Sequence, residues 1–211
     1  MRKNKSGRVS RDFMGLEAWE AAATKQEKNL KTKAIEYDRI FFDDFNFEPN
    51  SITGNVYNFA RIKNPPELLA KNKLYECTPT VIQDCRFHIK KFAIAGNCDG
   101  WDITIHPDVV KAQDILLHEM IHLRINVMPD HFKEILTVCL YKKLKKEIKS
   151  FEKMVINHAT TVAAAFNPNY WYHGTLFFLK SLDLDMRLNL DLGTVYGYEW
   201  NNRESVFNRN G

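Results

Sequence analysis

Five consecutive residues, His118-Glu119-Met120-Ile121-His122, constrain this chain of 211 residues more than any other feature. They lie within VVKAQDILLHEMIHLRINV, residues 109–127, a run that reads as a helix opened by Pro107 and Asp108 and closed by Pro129. Residues i and i+4 of a helix project from one face a turn apart, so the two imidazoles are spaced to share one tetrahedral zinc ion. Glu119 stands beside that face. Its carboxylate is poorly placed to enter the same ligand shell but can reach a zinc-bound water, where a general base has to stand. Ile115, Leu116, Leu117, Met120, Ile121 and Leu123 surround the motif with apolar side chains. Three ionisable groups in such surroundings are costly unless they are paired, hydrogen-bonded or bound to a metal. The plainer alternative is a helix whose histidines and glutamate are satisfied by ordinary hydrogen bonds.

A catalytic zinc usually takes three protein ligands and leaves a fourth position to water, so a further ligand has to come from elsewhere in the chain. The short continuation HExxHxxGxxH fails, because Ile125 and Met128 occupy the positions of its Gly and last His. Glu134, Glu147 and Glu152 are candidates from the helix that follows, and His131, just beyond Pro129, is another. His173 is the favoured one: it opens His-Gly-Thr-Leu-Phe, where Gly174 permits close backbone approach and Phe177 falls one helical turn on. His88, His106 and His158 lack such a context and are expected to be structural, although His106 at a strand end is a conceivable fourth ligand. Asp114, one turn before His118, is spaced to orient an imidazole. Tyr172, Tyr196 and Tyr198 are candidate oxyanion donors, with packing as the simpler role for each.

The remainder of the chain indicates the setting. At 45% apolar and 12% aromatic it can bury one sizeable core. Pervasive disorder is thereby excluded. The longest run without Asp, Glu, Lys or Arg, residues 154–179, is interrupted by Asn, His, Pro and Gly and is not continuously apolar, so no membrane span is expected, and the polar N-terminus carries no apolar signal core. These features point to a cytoplasmic protein. Cys77, Cys85, Cys98 and Cys139 form no CxxC pair, which excludes a cysteine zinc ribbon. The net charge of +4 is mild, but Arg2, Lys3, Lys5, Arg8 and Arg11 all precede the first acid, Asp12. That basic arm reads as a solvated tail or as a contact for nucleic-acid phosphates.

From Asp12 to about Arg39 an apolar stripe of Leu16, Trp19, Ala23, Leu30, Ala34 and Ile35 predicts one or two helices. FFDDFNF and SITGN read as a loop or short hairpin, and Asn64-Pro65-Pro66 as a helix break. TVIQDCRFHIKKFAI, residues 80–94, and WDITIHP, residues 101–107, read as two strands joined by a turn at AGNCDG. A second long helix is expected from about His131 to Asn157, basic at YKKLKKEIKS. FNPNYWYHG reads as a loop. Strict alternation from Leu182 to Leu192 suits a strand, but leucine favours a helix from Gly174 into the 180s, followed by an extended tail through GTVYGYEW.

The order of strand, HExxH helix and later His-Gly-x-x-Phe resembles the SprT-like zinc metallopeptidases. Ala95-Gly96-Asn97 ahead of WDITIHPDVV, the core DILLHEMIHL and HGTLFFLK carry the likeness, which runs from about Thr80 to Tyr198. It implies an α+β, zincin-like fold with a small β-sheet packed on the HExxH helix and further helices at the N-terminus and after the motif. It also implies Zn2+ held by His118, His122 and His173, with Glu119 as the base and a protein or peptide as substrate. The family pattern is more compact between the second and third histidines, so residues 130–170 read as a helical insertion. On this reading residues 1–79 are a basic arm and helical N-terminal extension, and residues 80–211 form the metallopeptidase domain, the two expected to make one compact unit. Insert-bearing members of this kind occur in phages, which would place the chain in a host cytoplasm. The rival readings are a nucleic-acid-binding or virion-associated module with a structural or vestigial metal site, and a zinc hydrolase acting on a non-peptide substrate.

Overall fold

The computed structural model describes residues 15–42, 82–91, 94–108, 112–128, 130–164 and 173–197. The basic arm, most of FFDDFNF, the SITGN and Asn64-Pro65-Pro66 segments, Cys77, Tyr172 and Tyr198 lie outside the described residues, as does the side chain of His131. Helices α1 (Leu16–Ala22) and α2 (Lys25–Phe41) come first. Thr24 separates them and starts α2 with a reciprocal cap: the Glu27 amide donates to Thr24 Oγ1 at 3.2 Å, and the Thr24 amide to Glu27 Oε2 at 2.8 Å. Trp19 on α1 and Leu30, Ala34 and Asp38 on α2 are buried. The Trp19 indole N–H donates to the Phe87 carbonyl at 3.2 Å, which ties this layer to the sheet.

The sheet has three strands, β1 (Arg86–Ile89), β2 (Gly96–Asp99) and β3 (Asp102–Ile105), in the spatial order β1-β3-β2. β1 runs parallel to β3, and β2 runs antiparallel to it. The expectation of two strands joined by a turn at AGNCDG is therefore corrected, since that segment is itself a strand. The turn is tighter, at Gly100-Trp101, where Gly100 has a φ of +60° that glycine adopts freely.

Helix α3 (Ala112–Val127) packs on β2 and β3 and touches α2 and the last helix. Its middle is covered on all sides, with Ile115, Leu116, Leu117, Met120, Ile121 and Leu123 buried, while Gln113 and Asn126 near its ends are exposed. Its one buried cation, Arg124, is held by Asp38 of α2, with Nε donating to Oδ1 at 2.9 Å and a second guanidinium nitrogen also in contact.

The single long helix expected from His131 to Asn157 is instead two, α4 (Asp130–Glu147) and α5 (Phe151–Ala164). The chain leaves the helix at residues 148–150, where the Phe151 amide donates to the Ile148 carbonyl at 3.3 Å, and Ile148 and Phe151 are both buried while Lys149 and Ser150 stay in solvent. The corner is closed by the Phe151 ring edge-on to Tyr141, 4.9 Å between centroids.

Helix α6 (Thr175–Arg187) follows Gly174, and helix wins over strand in the alternating leucine stretch. It is buried from Leu176 to Asp185 among α3, α4 and α5. The fully buried Lys180 donates to the Phe41 carbonyl at 2.8 Å and to Asp183 at 3.1 Å, while Arg187 donates to Phe41 at 3.0 Å. Two cations thus satisfy the carbonyl end of α2, where a helix dipole favours positive charge. The tail is not extended as expected: residues 192–196 form turns folded back on α6. The result is an α+β fold, a small mixed sheet against the helix that carries His118 and His122, with helices before and after. Among the described residues no helix is long and apolar enough to cross a membrane.

Candidate metal centre

His118 and His122 project one turn apart from α3, as their spacing requires. His173, immediately before α6, brings a third ring to them from 51 residues beyond His122. The three Nε2 atoms form a near-equilateral triangle: 3.2 Å from His118 to His122, 3.1 Å from His118 to His173, and 3.1 Å from His122 to His173. Phe177, one turn into α6, lies against all three rings at centroid distances of 4.6, 4.4 and 4.7 Å. His118 and His173 are buried and His122 is half-buried, so the cluster meets solvent on the His122 side.

The tautomer of His118 follows from its other nitrogen. Nδ1 lies 2.8 Å from the Val195 carbonyl, which can only accept, so Nδ1 carries the proton and Nε2 offers a lone pair to the triangle. Burial, reinforced by the neighbouring His122 and His173, pushes the His118 pKa well below its ordinary value. Burial and His173 bring His122 down to about 3. Both rings are neutral near pH 7, the form that binds a metal. His173 is anchored through its backbone, because His158 Nε2–H donates to the His173 carbonyl at 3.2 Å. The His158 ring in turn stacks on Phe178 at 4.1 Å.

Glu119 is buried against β2. Gly96 makes this possible: a methyl group on its Cα would stand 2.6 Å from Glu119 Oε1 and 2.5 Å from Ile115 Cγ2. Burial pushes the Glu119 carboxyl up to about 8. A divalent cation beside it would draw that value back down.

The other candidates are elsewhere. Glu134, Glu147 and Glu152 are exposed, and Glu152 pairs with Lys145 across the α4–α5 corner. His88 pairs with Asp102 at 2.8 Å on the sheet. His106 Nδ1 accepts the Asp108 amide at 3.1 Å. The Val195 carbonyl, and not Asp114, takes the His118 Nδ1–H. Tyr196 is near the site but meets His173 edge-on at 5.9 Å, as a packing neighbour. Val195, which acts through its backbone oxygen, is the contributor that sequence reasoning misses, while His158 is structural as expected, with the His173 backbone as its partner. Val195 leaves no residue-type signal for the role it plays.

Three imidazoles whose Nε2 atoms converge to within 3.2 Å of one another can hold a metal ion. Comparison of the chain with protein-family models, characterised proteins and solved structures gives no match.

Proposed function

We propose that this chain is a zinc-dependent metallopeptidase of the SprT-like kind, acting on peptide bonds of a protein or peptide substrate in the cytoplasm. The observation that carries the reading is the triangle of three Nε2 atoms, 3.1–3.2 Å on a side, two of them on the helix that also bears Glu119 and the third from His173 before α6. Around a tetrahedral zinc with Zn–N of about 2.0–2.1 Å, the nitrogens would be about 3.3–3.4 Å apart. The donor set therefore fits zinc with a small expansion, and His118, His122 and His173 would hold it. Zinc bound there supplies Lewis acidity and lowers the pKa of a coordinated water from about 15.7 toward 7.

The protein's own groups do the rest. Glu119 accepts the proton released as water attacks the peptide carbonyl and passes it to the departing amine. Burial raises the proton affinity of its carboxyl, and a cation held by the three histidines would bring it back toward the range in which an ionised carboxylate can take a proton and return it near neutral pH. The Val195 carbonyl keeps His118 in the ligating tautomer, and Phe177 keeps the three rings in register. The basic arm from Arg2 to Arg11 would add a nucleic-acid contact.

Glu119→Gln tests the reading. The variant should bind one zinc per chain as wild type does and cleave an unstructured protein substrate about 10²–10⁴-fold more slowly. Equal cleavage by the two would remove the peptidase assignment. Undiminished zinc in His173→Ala would remove the ligand set.

A further inference from the structure

Beyond the ligands and the base, a buried acid is joined to the metal centre by way of a loop. Asp185 lies near the end of α6 and is fully buried. One carboxylate oxygen, Oδ2, accepts the Gly193 amide at 2.6 Å, and the other, Oδ1, accepts the Val195 amide at 2.9 Å. Gly193 has a φ of +93°, a conformation that glycine adopts freely, and Thr194 between them donates its hydroxyl to the Asp191 carbonyl at 2.6 Å. The turn is thus wrapped around one carboxylate. Val195 is the residue at which this arrangement meets the metal centre: its N–H is held by Asp185 and its carbonyl accepts His118 Nδ1–H at 2.8 Å. Burying a carboxylate is expensive unless it is fully hydrogen-bonded. Here two of its bonds go to the segment that meets the His118 ring.

We propose that Asp185 is a positioning residue for the metal centre, holding the Gly193–Val195 turn so that the Val195 carbonyl fixes the ring orientation and tautomer of His118. The inference rests on the reading of the three histidines as metal ligands. Outer-shell groups that orient a ligating histidine commonly change metal affinity by about 10–100-fold. An amide in place of the carboxylate can still accept one N–H, but it presents its own N–H groups to the other.

The experiment compares wild type with Asp185→Asn by zinc affinity in competition with a chelator, by the visible spectrum of the Co2+-loaded protein, and by nitrogen-15 NMR of the His118 ring in metal-free protein. The expected result is zinc affinity weakened about 10–100-fold at unchanged stoichiometry, an altered Co2+ ligand-field spectrum, and a His118 Nδ1–H that exchanges faster with solvent. A purely structural role would lower the melting temperature and leave the Co2+ spectrum and the His118 ring signals in place, and that outcome overturns the proposal. If Asp185→Asn does not fold, Gly193→Ala strains the same turn with the carboxylate intact and should weaken zinc binding in the same direction; unchanged affinity there also overturns it. Failure of wild type to bind zinc would sink the metal-centre reading instead. In that event the His118 ring signals of metal-free protein still decide whether Asp185 governs the tautomer.

Discussion

Gly96→Ala adds one methyl group where β2 meets α3, and its effect can be worked from the contacts. The new carbon would stand 2.5 Å from Ile115 Cγ2, 2.6 Å from Glu119 Oε1 and 3.1 Å from Glu119 Cγ. Carbon atoms settle about 3.5–4.0 Å apart, so α3 has to retreat from β2 by about 1 Å, or Ile115 and Glu119 must leave their rotamers. Both side chains are buried, so neither has free space to enter. Overpacking of this kind costs about 1–3 kcal/mol. Against it, alanine restricts the unfolded chain relative to glycine and stabilises by about 0.4–1 kcal/mol, since Gly96 does not need a positive φ. The net expectation is a loss of about 1–2 kcal/mol. With a urea slope of about 2 kcal/mol per molar, the unfolding midpoint should fall by about 0.5–1 M. The displacement reaches Glu119 but no metal ligand directly. Zinc stoichiometry should therefore hold while peptide cleavage falls about 10²-fold, as a misplacement of about 1 Å can cause. A midpoint equal to or above that of wild type would refute the packing argument, and full cleavage by a destabilised variant would refute the placement of Glu119.

Three further outcomes are expected. Arg124→Met strands the Asp38 carboxylate in the core and should destabilise by about 3–5 kcal/mol in chemical denaturation, while Arg124→Met with Asp38→Leu should recover most of the loss; equal stability of the single variant and wild type would contradict this. Burial pushes the Asp183 carboxyl up, but the ammonium groups of Lys180 and Lys143 pull it further the other way and leave it below the ordinary 3.8. Its stabilising contribution is therefore present above pH 3.8 and lost as pH falls through the lower folded value, so wild type should lose stability more steeply in acid than Asp183→Asn; parallel curves of urea midpoint against pH would count against it. Stripping zinc with a chelator should remove about 2.7 kcal/mol relative to protein held at a free zinc concentration 100 times the dissociation constant, and calorimetry should record a melting temperature lower by about 5–11 °C.

The motif helix was legible because its signal is local: apolar side chains around an i, i+4 histidine pair need only the helix to place both rings on one face. β2 was missed because Gly-Asn-Cys-Asp has little strand propensity, and pairing with β3 overrides that preference. The α4–α5 corner escaped because Ile148 and Phe151 fit a continued helical stripe as well as a turn does. Of the two neighbours that pointed to His173, Phe177 packs on its ring as expected, whereas no close approach occurs at Gly174, where a methyl group would meet nothing within 4 Å. The convergence of His173 with α3 belongs to tertiary structure, which no spacing rule reports. The contribution of Val195 comes from a peptide oxygen, and every residue has one, so side-chain chemistry could not single it out.

Phe177 has no atom that can bind a cation, yet it touches every ring that would. Any change in the bulk of that benzene ring would be felt by all three imidazoles at once. Which divalent ion such a centre accepted would then depend on core volume as well as on ligand chemistry.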